Sequence, residues 1–340
     1  MTMDDDQPGS PDPDGDRVRP ARPGAGIFTI EGRAAPGLFV VGWLASILGL
    51  SFLIVGALGG SRLFFHLLGP GFLSLGLICG AGNQAIERRA RGDAYAGPSP
   101  WLVFVAVVAV VRFLAAIVGT GLLAVITSLG ASPEGPFAQL VSEILTAAIF
   151  LGILRLTVVG SGALAWHEMG LRRFDRQAAA DLTLGALTAL PVIAVTTIVG
   201  AILVTIFGVI SPSPLPATGQ LGGLLLQLVA GALIAPIAEE IFFRGFALTA
   251  WKRRLGPGRA ILQATILFTL AHVIDVQGTD FGNALALVAV GAGARVPVSL
   301  ALGWLFVQRG SLWAPIGLHA TFNAVLLLIA NLALVSARSG

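Results

Sequence analysis

The sequence predicts a polytopic bundle of transmembrane α-helices, and three observations support this all-α fold class. Apolar residues make up 55% of the 340 residues and charged residues only 11%, whereas a soluble domain carries roughly 25% charged residues. The mean hydropathy of the chain is +0.86. Nine apolar runs are each long enough, or nearly so, for the ~20 residues of a bilayer crossing. Because lipid cannot satisfy backbone hydrogen bonds, each run is expected to form a helix.

The apolar runs follow one another along the whole chain after a polar beginning. They lie at residues 36–58, 63–81, 101–128, 137–160, 181–210, 222–250, 259–274, 283–308 and 311–335. We predict eight or nine spans from them, and the number depends on the runs at 63–81, 259–274 and 283–308.

Residues 1–34 differ in composition from the rest of the chain. They are rich in Asp, Pro, Gly and Arg and show no periodic apolar pattern, which predicts a disordered tail. The tail begins with acidic residues, whereas a signal peptide begins with basic residues that an apolar run soon follows. We therefore expect the first span to remain as an uncleaved anchor.

Basic residues occur in every second loop, and this distribution predicts the orientation of the chain. Under the positive-inside rule the amino terminus is cytoplasmic, in a multi-pass protein of the cell membrane. Arg62, in the first short loop, is the one exception. The net charge of +3 then reflects membrane topology, so we expect no nucleic-acid partner. The basic clusters are Arg17, Arg19, Arg22 and Arg33; Arg88, Arg89 and Arg91; Arg172, Arg173 and Arg176; and Lys252, Arg253, Arg254 and Arg259.

Polar residues within the apolar runs are the strongest indication of function, because ionisable groups at membrane depth are costly and usually functional. The sixth run contains Glu239, Glu240 and Arg244. Glu240 and Arg244 are one helical turn apart, so they are expected to form an ion pair. The residue one turn after Glu239 is Phe243, so Glu239 has no such partner and is suited to act as a general base.

The seventh and last runs contribute further polar groups at a matching depth. His272 lies in the seventh run, and His319 and Asn323 lie one turn apart in the last. From a rise of about 1.5 Å per residue, all four groups, Glu239 included, lie roughly 15–21 Å from the basic end of their run. They would share one cavity if the three helices are neighbours. A glutamate and a histidine can activate water, and a histidine and an asparagine can stabilise an oxyanion.

The ordered motifs Glu239-Glu240-x-x-x-Arg244, Phe268-x-x-x-His272 and His319-x-x-x-Asn323 resemble those of the CPBP family. This family comprises type II CAAX prenyl endopeptidases and bacteriocin-processing enzymes, also called intramembrane glutamic endopeptidases. The resemblance implies a metal-independent glutamic protease without a cofactor. In it Glu239 and His272 would activate water, and His319 and Asn323 would form the oxyanion hole. Glu240 and Arg244 would support the site.

Composition and charge distribution, together with the resemblance, predict the domain organisation and the partners. Residues 1–34 would be a cytoplasmic tail, 35–176 the amino-terminal transmembrane helices, and 177–340 the protease core. The partners would be membrane lipids and a peptide or protein substrate, possibly prenylated or a leader peptide. The segment from Glu168 to Arg173 resembles the short cytoplasmic stretch ahead of the family's core.

Two alternatives to this interpretation remain open. The first is a non-enzymatic membrane scaffold, immunity-type protein or transporter that uses the same polar cluster for packing or proton movement. The second is a zinc site of one glutamate and two histidines, ranked lower because Asn323 is a poor zinc ligand.

Four further charged residues fall within apolar runs: Arg112, Glu143, Arg155 and Arg295. The long side chain of Arg155 is expected to reach the membrane interface. Arg112 and Glu143 lie on consecutive spans, and their estimated depths differ by about 9 Å, which argues against a direct pair. Arg295, beside Pro297, predicts a broken helix that lines the cavity.

Overall fold

The computed structural model describes residues 33–211 and 217–339, and it contains no strand within these ranges. The predicted disordered tail lies outside the described residues, except for Arg33 and Ala34. The described part of the chain forms nine helices. They are α1 (Pro36–Gly59), α2 (Leu63–Arg91), α3 (Pro100–Ser128), α4 (Pro136–Val159), α5 (Arg176–Phe207), α6 (Leu221–Leu255), α7 (Pro257–Ala271), α8 (Phe281–Arg309) and α9 (Trp313–Ser339).

Eight of these helices are long and apolar enough to cross a membrane, which confirms the predicted fold class. The exception is α7, whose 15 residues span about 22 Å at the usual rise. That length is shorter than the ~30 Å of a bilayer's hydrocarbon core. The predicted run at 259–274 is therefore a helix, but a short one that ends beside His272.

The helix boundaries follow local sequence signals. Proline occupies the first turn of α1, α3, α4 and α7, where its missing N–H leaves no bond unmade. The Asp175 carboxylate caps α5 by accepting the N–H of Ala178 at 2.8 Å. The Asp280 carboxylate caps α8 by accepting the N–H of Asn283 at 2.9 Å, and this hydrogen bond lowers the pKa of Asp280. Gly310 ends α8 with a φ of 58°, a conformation that favours glycine.

One predicted helix boundary and one predicted helix break differ from the structure. The second run was expected to end near residue 81, but α2 continues to Arg91 because its polar residues extend the same helix. The predicted break in α8 is wrong, since the helix is continuous from Phe281 to Arg309 with Pro297 inside it. Neighbouring helices and local adjustments allow a membrane helix to retain an internal proline.

Helix α6 lies at the centre of the bundle and is the most buried of the eight long helices. Its residues Phe242, Phe243 and Phe246 are almost fully buried. The Phe242 ring packs edge-on against Phe150 of α4, with ring centroids 5.0 Å apart. Large apolar side chains such as Leu187 of α5 are exposed instead on the outer surface, as expected where lipid is the solvent. The polar residues of α6 are thus enclosed by protein.

The segment between α4 and α5 joins the ends of α6 and α9. The Arg253 guanidinium of α6 donates to the Glu168 carboxylate at 2.7 Å. The Leu312 N–H donates to the Gly170 carbonyl at 3.0 Å. The hydrogen bond from the Ala165 N–H, together with Arg253, lowers the pKa of Glu168. This segment therefore fixes the ends of two helices that carry polar residues of the predicted site.

Helices α5 and α9 approach closely at two glycines. A Cβ atom on Gly185 would overlap the carbonyl oxygen of Ala314, and one on Gly317 would overlap that of Leu182. Small residues of this kind allow membrane helices to pack backbone against backbone. The position of α9, which carries His319 and Asn323, depends on this contact.

We expect Gly185→Val to destabilise the protein by about 1–3 kcal/mol, because the new side chain must push α9 away. The measurement is the thermal unfolding midpoint of the purified protein in detergent. Gly121→Val of α3 is the matched control, since a Cβ there meets no atom within 4 Å. Equal midpoints for the two variants would contradict the assigned packing.

Candidate active site

The glutamate pair lies on a regular turn of α6 between two π-helical stretches. These stretches are Leu228–Ile234 and Ile241–Leu248, and the α-helical turn between them is Ala235–Glu240. π-helical insertions widen a helix and are frequent at functional sites. Pro236, in the first turn of the central segment, donates no backbone hydrogen bond. The local backbone thus departs from a simple helix on both sides of Glu239 and Glu240.

Glu240 is the centre of a fully buried polar network. Its Oε1 atom accepts a hydrogen bond from Arg244 at 2.8 Å and one from the Nδ1 of His319 at 2.8 Å. Arg244 also donates to the Oγ of Ser299 on α8 at 3.0 Å. The predicted pairing of Glu240 with Arg244 is confirmed. The network connects α6, α8 and α9, so it joins three helices through charge-assisted hydrogen bonds.

Aromatic rings enclose the Arg244 guanidinium. Its central carbon lies 4.5 Å from the centroid of the Phe268 ring. A cation placed over an aromatic face is attracted to it, and more strongly where water is excluded. Phe268 thereby links α7 to the network, because the same ring lies 4.3 Å from that of His272.

Glu239 faces both histidines. Its Oε2 atom lies 3.7 Å from the Nε2 of His272 and 3.8 Å from the Nε2 of His319. These distances are too long for direct hydrogen bonds, yet each pair is close enough to contact one water molecule in common. The Oε2 atom is buried and has no hydrogen-bond partner among the described residues. Glu239 therefore differs from Glu240 as the sequence predicted, one carboxylate being unpaired and the other paired.

The hydrogen bonds of the two histidines define which ring atoms face Glu239. The Nδ1 of His272 donates to the carbonyl of Phe268 at 2.8 Å, since that oxygen can only accept. The Nδ1 of His319 donates to the Glu240 carboxylate, which Arg244 also contacts. In its neutral form each imidazole therefore presents the lone pair of Nε2 to Glu239. The Nε2 of His319 becomes a donor only when the ring is protonated.

Asn323 approaches the site from the next turn of α9. Its Nδ2 donates one hydrogen bond, at 2.7 Å, to the Gly231 carbonyl in the first π-helical stretch. A carboxamide nitrogen carries two hydrogens, so one N–H remains for another acceptor. The Gly231 carbonyl thus fixes the side chain while leaving a donor available.

A cavity of about 340 Å³ adjoins these side chains. His272, His319 and Asn323 contribute to its wall together with Arg295 of α8, whereas most other lining residues are apolar. The prediction that Arg295 lines a cavity is confirmed. A volume of this size lies at the lower end of the range for ligand sites.

A second, smaller cavity adjoins Glu239, which is not among the lining residues of the larger cavity. Its volume is about 50 Å³, and Glu143 of α4 and Glu239 are its two acidic lining residues. Arg112 pairs with Asp275 in the loop after α7, which agrees with the expectation that it does not pair with Glu143. Glu143 stood out in the sequence as an acidic residue within an apolar run. Its proximity to Glu239 could not be predicted, because the two residues lie on different helices.

The structure brings Glu239, His272 and His319 together, with Asn323 on the shared cavity wall and with Glu240 and Arg244 in the adjoining network. The predicted proximity of the three segments is thus observed, while the catalytic roles stay predictions. Ser299, which accepts a hydrogen bond from Arg244, was not predicted, because a single serine within an apolar run does not indicate a functional role. Within the described ranges, no group of three or more His, Cys, Asp or Glu residues has the arrangement of a metal site.

A family model described as Rce1-like, type II CAAX prenyl endopeptidase, matches residues 221–325. That segment contains all six predicted site residues. It is Rce1-like. The match supports the predicted relationship of this segment to the CPBP and CAAX protease family and a CAAX-type intramembrane endopeptidase. Together with the eight long apolar helices, it supports a multi-pass membrane protein. No curated protein and no solved structure matches the chain.

Proposed function

We propose that this protein hydrolyses a peptide bond of a membrane-associated substrate with a water molecule activated by Glu239 and His272. The observation that carries the proposal is the unpaired Oε2 of Glu239, which lies 3.7 Å and 3.8 Å from two imidazole nitrogens. This carboxylate oxygen is close enough to each imidazole nitrogen to share a bound water molecule with it. It is suited to accept a proton from water.

In the first step, water bound between Glu239 and His272 attacks the carbonyl carbon of the substrate. The Oε2 of Glu239 accepts one proton of that water as the new C–O bond forms. The Nε2 of His272 accepts a hydrogen bond from the other proton and so orients the nucleophile. No serine or cysteine nucleophile is needed for this step.

The tetrahedral intermediate carries a negative oxygen that needs hydrogen-bond donors. The second N–H of Asn323 is one such donor, because only its first is used by Gly231. His319 is a donor at Nε2 when its ring is protonated, and its hydrogen bond to the Glu240 carboxylate at Nδ1 orients that ring. Donors fixed in advance cost little reorganisation when charge develops.

In the final step, Glu239 returns its proton to the nitrogen of the leaving amine and the C–N bond breaks. The products are a carboxylic acid and an amine, and Glu239 is again a carboxylate. The overall reaction consumes one water molecule and changes no oxidation state. The candidate substrates are a prenylated carboxyl-terminal segment or a leader peptide.

We further propose the orientation and organisation of the chain. Basic residues such as Arg89, Arg173 and Lys252 support a cytoplasmic amino terminus in the cell membrane. The proposed organisation comprises a cytoplasmic tail at 1–34, amino-terminal helices at 35–176 and a protease core at 177–340. The match to residues 221–325 supports the placement of the chemistry within the last of these.

Terminal-fragment mass spectrometry of membranes tests the proposal. Cells that produce the wild-type protein are compared with cells that produce Glu239→Gln at the same level. New peptide termini that appear only with the wild-type protein are expected, and they also identify the cleavage site. Identical fragment patterns would reject the enzyme and favour the scaffold or transporter. A metal chelator is added in one arm, and loss of cleavage there would favour the zinc alternative.

We expect Asn323→Ala to lower kcat by about 10²- to 10³-fold, the usual cost of removing one oxyanion donor. The KM should change little, because the donor acts mainly when charge develops. The measurement is steady-state cleavage by the purified protein in lipid nanodiscs. Asn331→Ala of the same helix is the control, since Asn331 contacts Thr218 and lines neither cavity. Equal effects of the two variants would remove Asn323 from the proposed mechanism.

A further inference from the structure

Arg295 of α8 is a cation in the wall of the 340 Å³ cavity that also contains His272, His319 and Asn323. Its one hydrogen bond among the described residues joins its guanidinium to the Gly291 carbonyl at 2.7 Å, within the same helix. A guanidinium has five N–H donors, so most of them remain available. No carboxylate of the described part of the chain forms an ion pair with Arg295, in contrast to Arg244, which pairs with Glu240.

The position of Arg295 along α8 places it far from the membrane surfaces. It lies at the midpoint of a helix of 29 residues, which is about 21 Å from either end at the usual rise. An arginine near a helix end reaches the interface with its long side chain, but one at the centre does not. An unpaired cation at that depth is costly and is usually functional.

The cavity around Arg295 is otherwise suited to apolar groups. Val204, Val290, Val298 and Leu327 are among its lining residues. Gly291 leaves room in the wall, because a Cβ atom there would lie 3.0 Å from the Oγ of Ser211. An occupant would therefore be mainly apolar and carry one anionic group.

The reacting groups limit what the anion can be. Arg295 lines the same cavity as His272 and His319, so it lies near the site of the chemistry. A lipid phosphate remains at the membrane interface, whereas Arg295 lies near mid-depth. A carboxylate of a bound peptide can reach it, and the planar guanidinium fork matches a carboxylate in a bidentate geometry.

We propose that Arg295 binds a carboxylate of the substrate and thereby selects peptides whose apolar segment carries an acidic group beside the cleaved bond. This inference rests on the proposed function, because it names what the same cavity accepts. The carboxylate belongs either to the end of the peptide chain or to an Asp or Glu side chain. Arg295 is thus a specificity-determining residue distinct from the groups that activate water.

Direct binding of short peptides tests the proposal without requiring turnover. The probes are a dye-labelled apolar tripeptide of leucines with a free terminal carboxylate, its carboxamide, and a carboxamide form with a central glutamate. Each is titrated by fluorescence anisotropy into full-length Glu239→Gln protein in nanodiscs of neutral lipid. The same titrations are made with three double variants, in which Glu239→Gln is combined with Arg295→Gln, Arg295→Lys or Arg155→Gln. Arg155 is the control position, because it is an arginine of an apolar run that lines neither cavity.

We expect at least one carboxylate probe to bind roughly 10- to 100-fold more tightly than the plain carboxamide, the range for hydrogen bonds to a charged group. Arg295→Gln should abolish this preference, Arg295→Lys should retain part of it, and Arg155→Gln should leave it unchanged. Which carboxylate probe is preferred identifies the source of the anion. The proposal fails if Arg295→Gln retains the preference, if it weakens all three probes equally, or if no preference exists. Binding with the expected preference but without cleavage by the wild-type protein would reject the proposed function alone.

Discussion

Glu239→Gln is expected to lower kcat by about 10²- to 10⁴-fold, the usual contribution of a general base. Glutamine has nearly the same shape as glutamate but cannot accept the proton of the attacking water. The folded protein should be unaffected, because the Oε2 of Glu239 makes no hydrogen bond within the described residues. Replacement of this partly buried charge by a neutral amide even lowers the desolvation cost of folding.

The two expectations are measured on the same purified protein in nanodiscs. Cleavage kinetics report kcat, and the thermal unfolding midpoint reports stability. Glu134→Gln is the control, since Glu134 is exposed in the loop before α4. A variant at Glu239 that cleaves at the wild-type rate would exclude Glu239 as the base. One that unfolds at a much lower temperature would instead give Glu239 a structural role.

Arg244→Ala is expected to have the opposite profile, with a loss of about 3–5 kcal/mol of stability, the typical cost of breaking a buried ion pair. The substitution leaves the fully buried Glu240 without its cation. It also removes the hydrogen bond to Ser299 and the contact with the Phe268 ring. The amount of folded protein in membranes should fall sharply, and residual activity should follow that amount.

A double variant separates charge from packing in this prediction. Glu240→Gln combined with Arg244→Met removes both charges and retains most of the side-chain volume. It should recover part of the stability lost in Arg244→Ala, because no unpaired charge remains. Unfolding in detergent is the measurement, with Arg155→Ala as the control for an arginine on an exposed face. Wild-type stability of Arg244→Ala would show that the network contributes little to folding.

The fold could be predicted from the sequence because lipid imposes a simple rule on the backbone. Each apolar run became a helix, and helix ends followed proline, aspartate and glycine signals. The difference between Glu239 and Glu240 could also be predicted, since the i, i+4 rule concerns one helix. These predictions depend on local geometry, which the sequence contains directly.

Contacts between distant segments could not be predicted with the same detail. The hydrogen bond between His319 and Glu240 joins residues 79 positions apart, and that between Arg244 and Ser299 joins residues 55 apart. Both depend on how the helices rotate and pack. The predicted break at Arg295 failed for a related reason, because a proline that would break an isolated helix is retained where neighbouring helices support it.

The two imidazoles that face Glu239 are oriented by different parts of the molecule. The hydrogen bond to Phe268 ties the His272 ring to the backbone of its own helix, α7, whereas Glu240 of α6 fixes the His319 ring. A tilt of α7 would therefore carry the His272 ring away from Glu239 while the hydrogen bonds of Glu240 remain intact. The hydrogen bonds that orient the two imidazoles are thus independent of each other, and the ring of Phe268 over Arg244 is a contact that joins α7 to the ionic network. The shortest helix of the bundle is the element whose movement would assemble or dismantle the pair of Glu239 and His272.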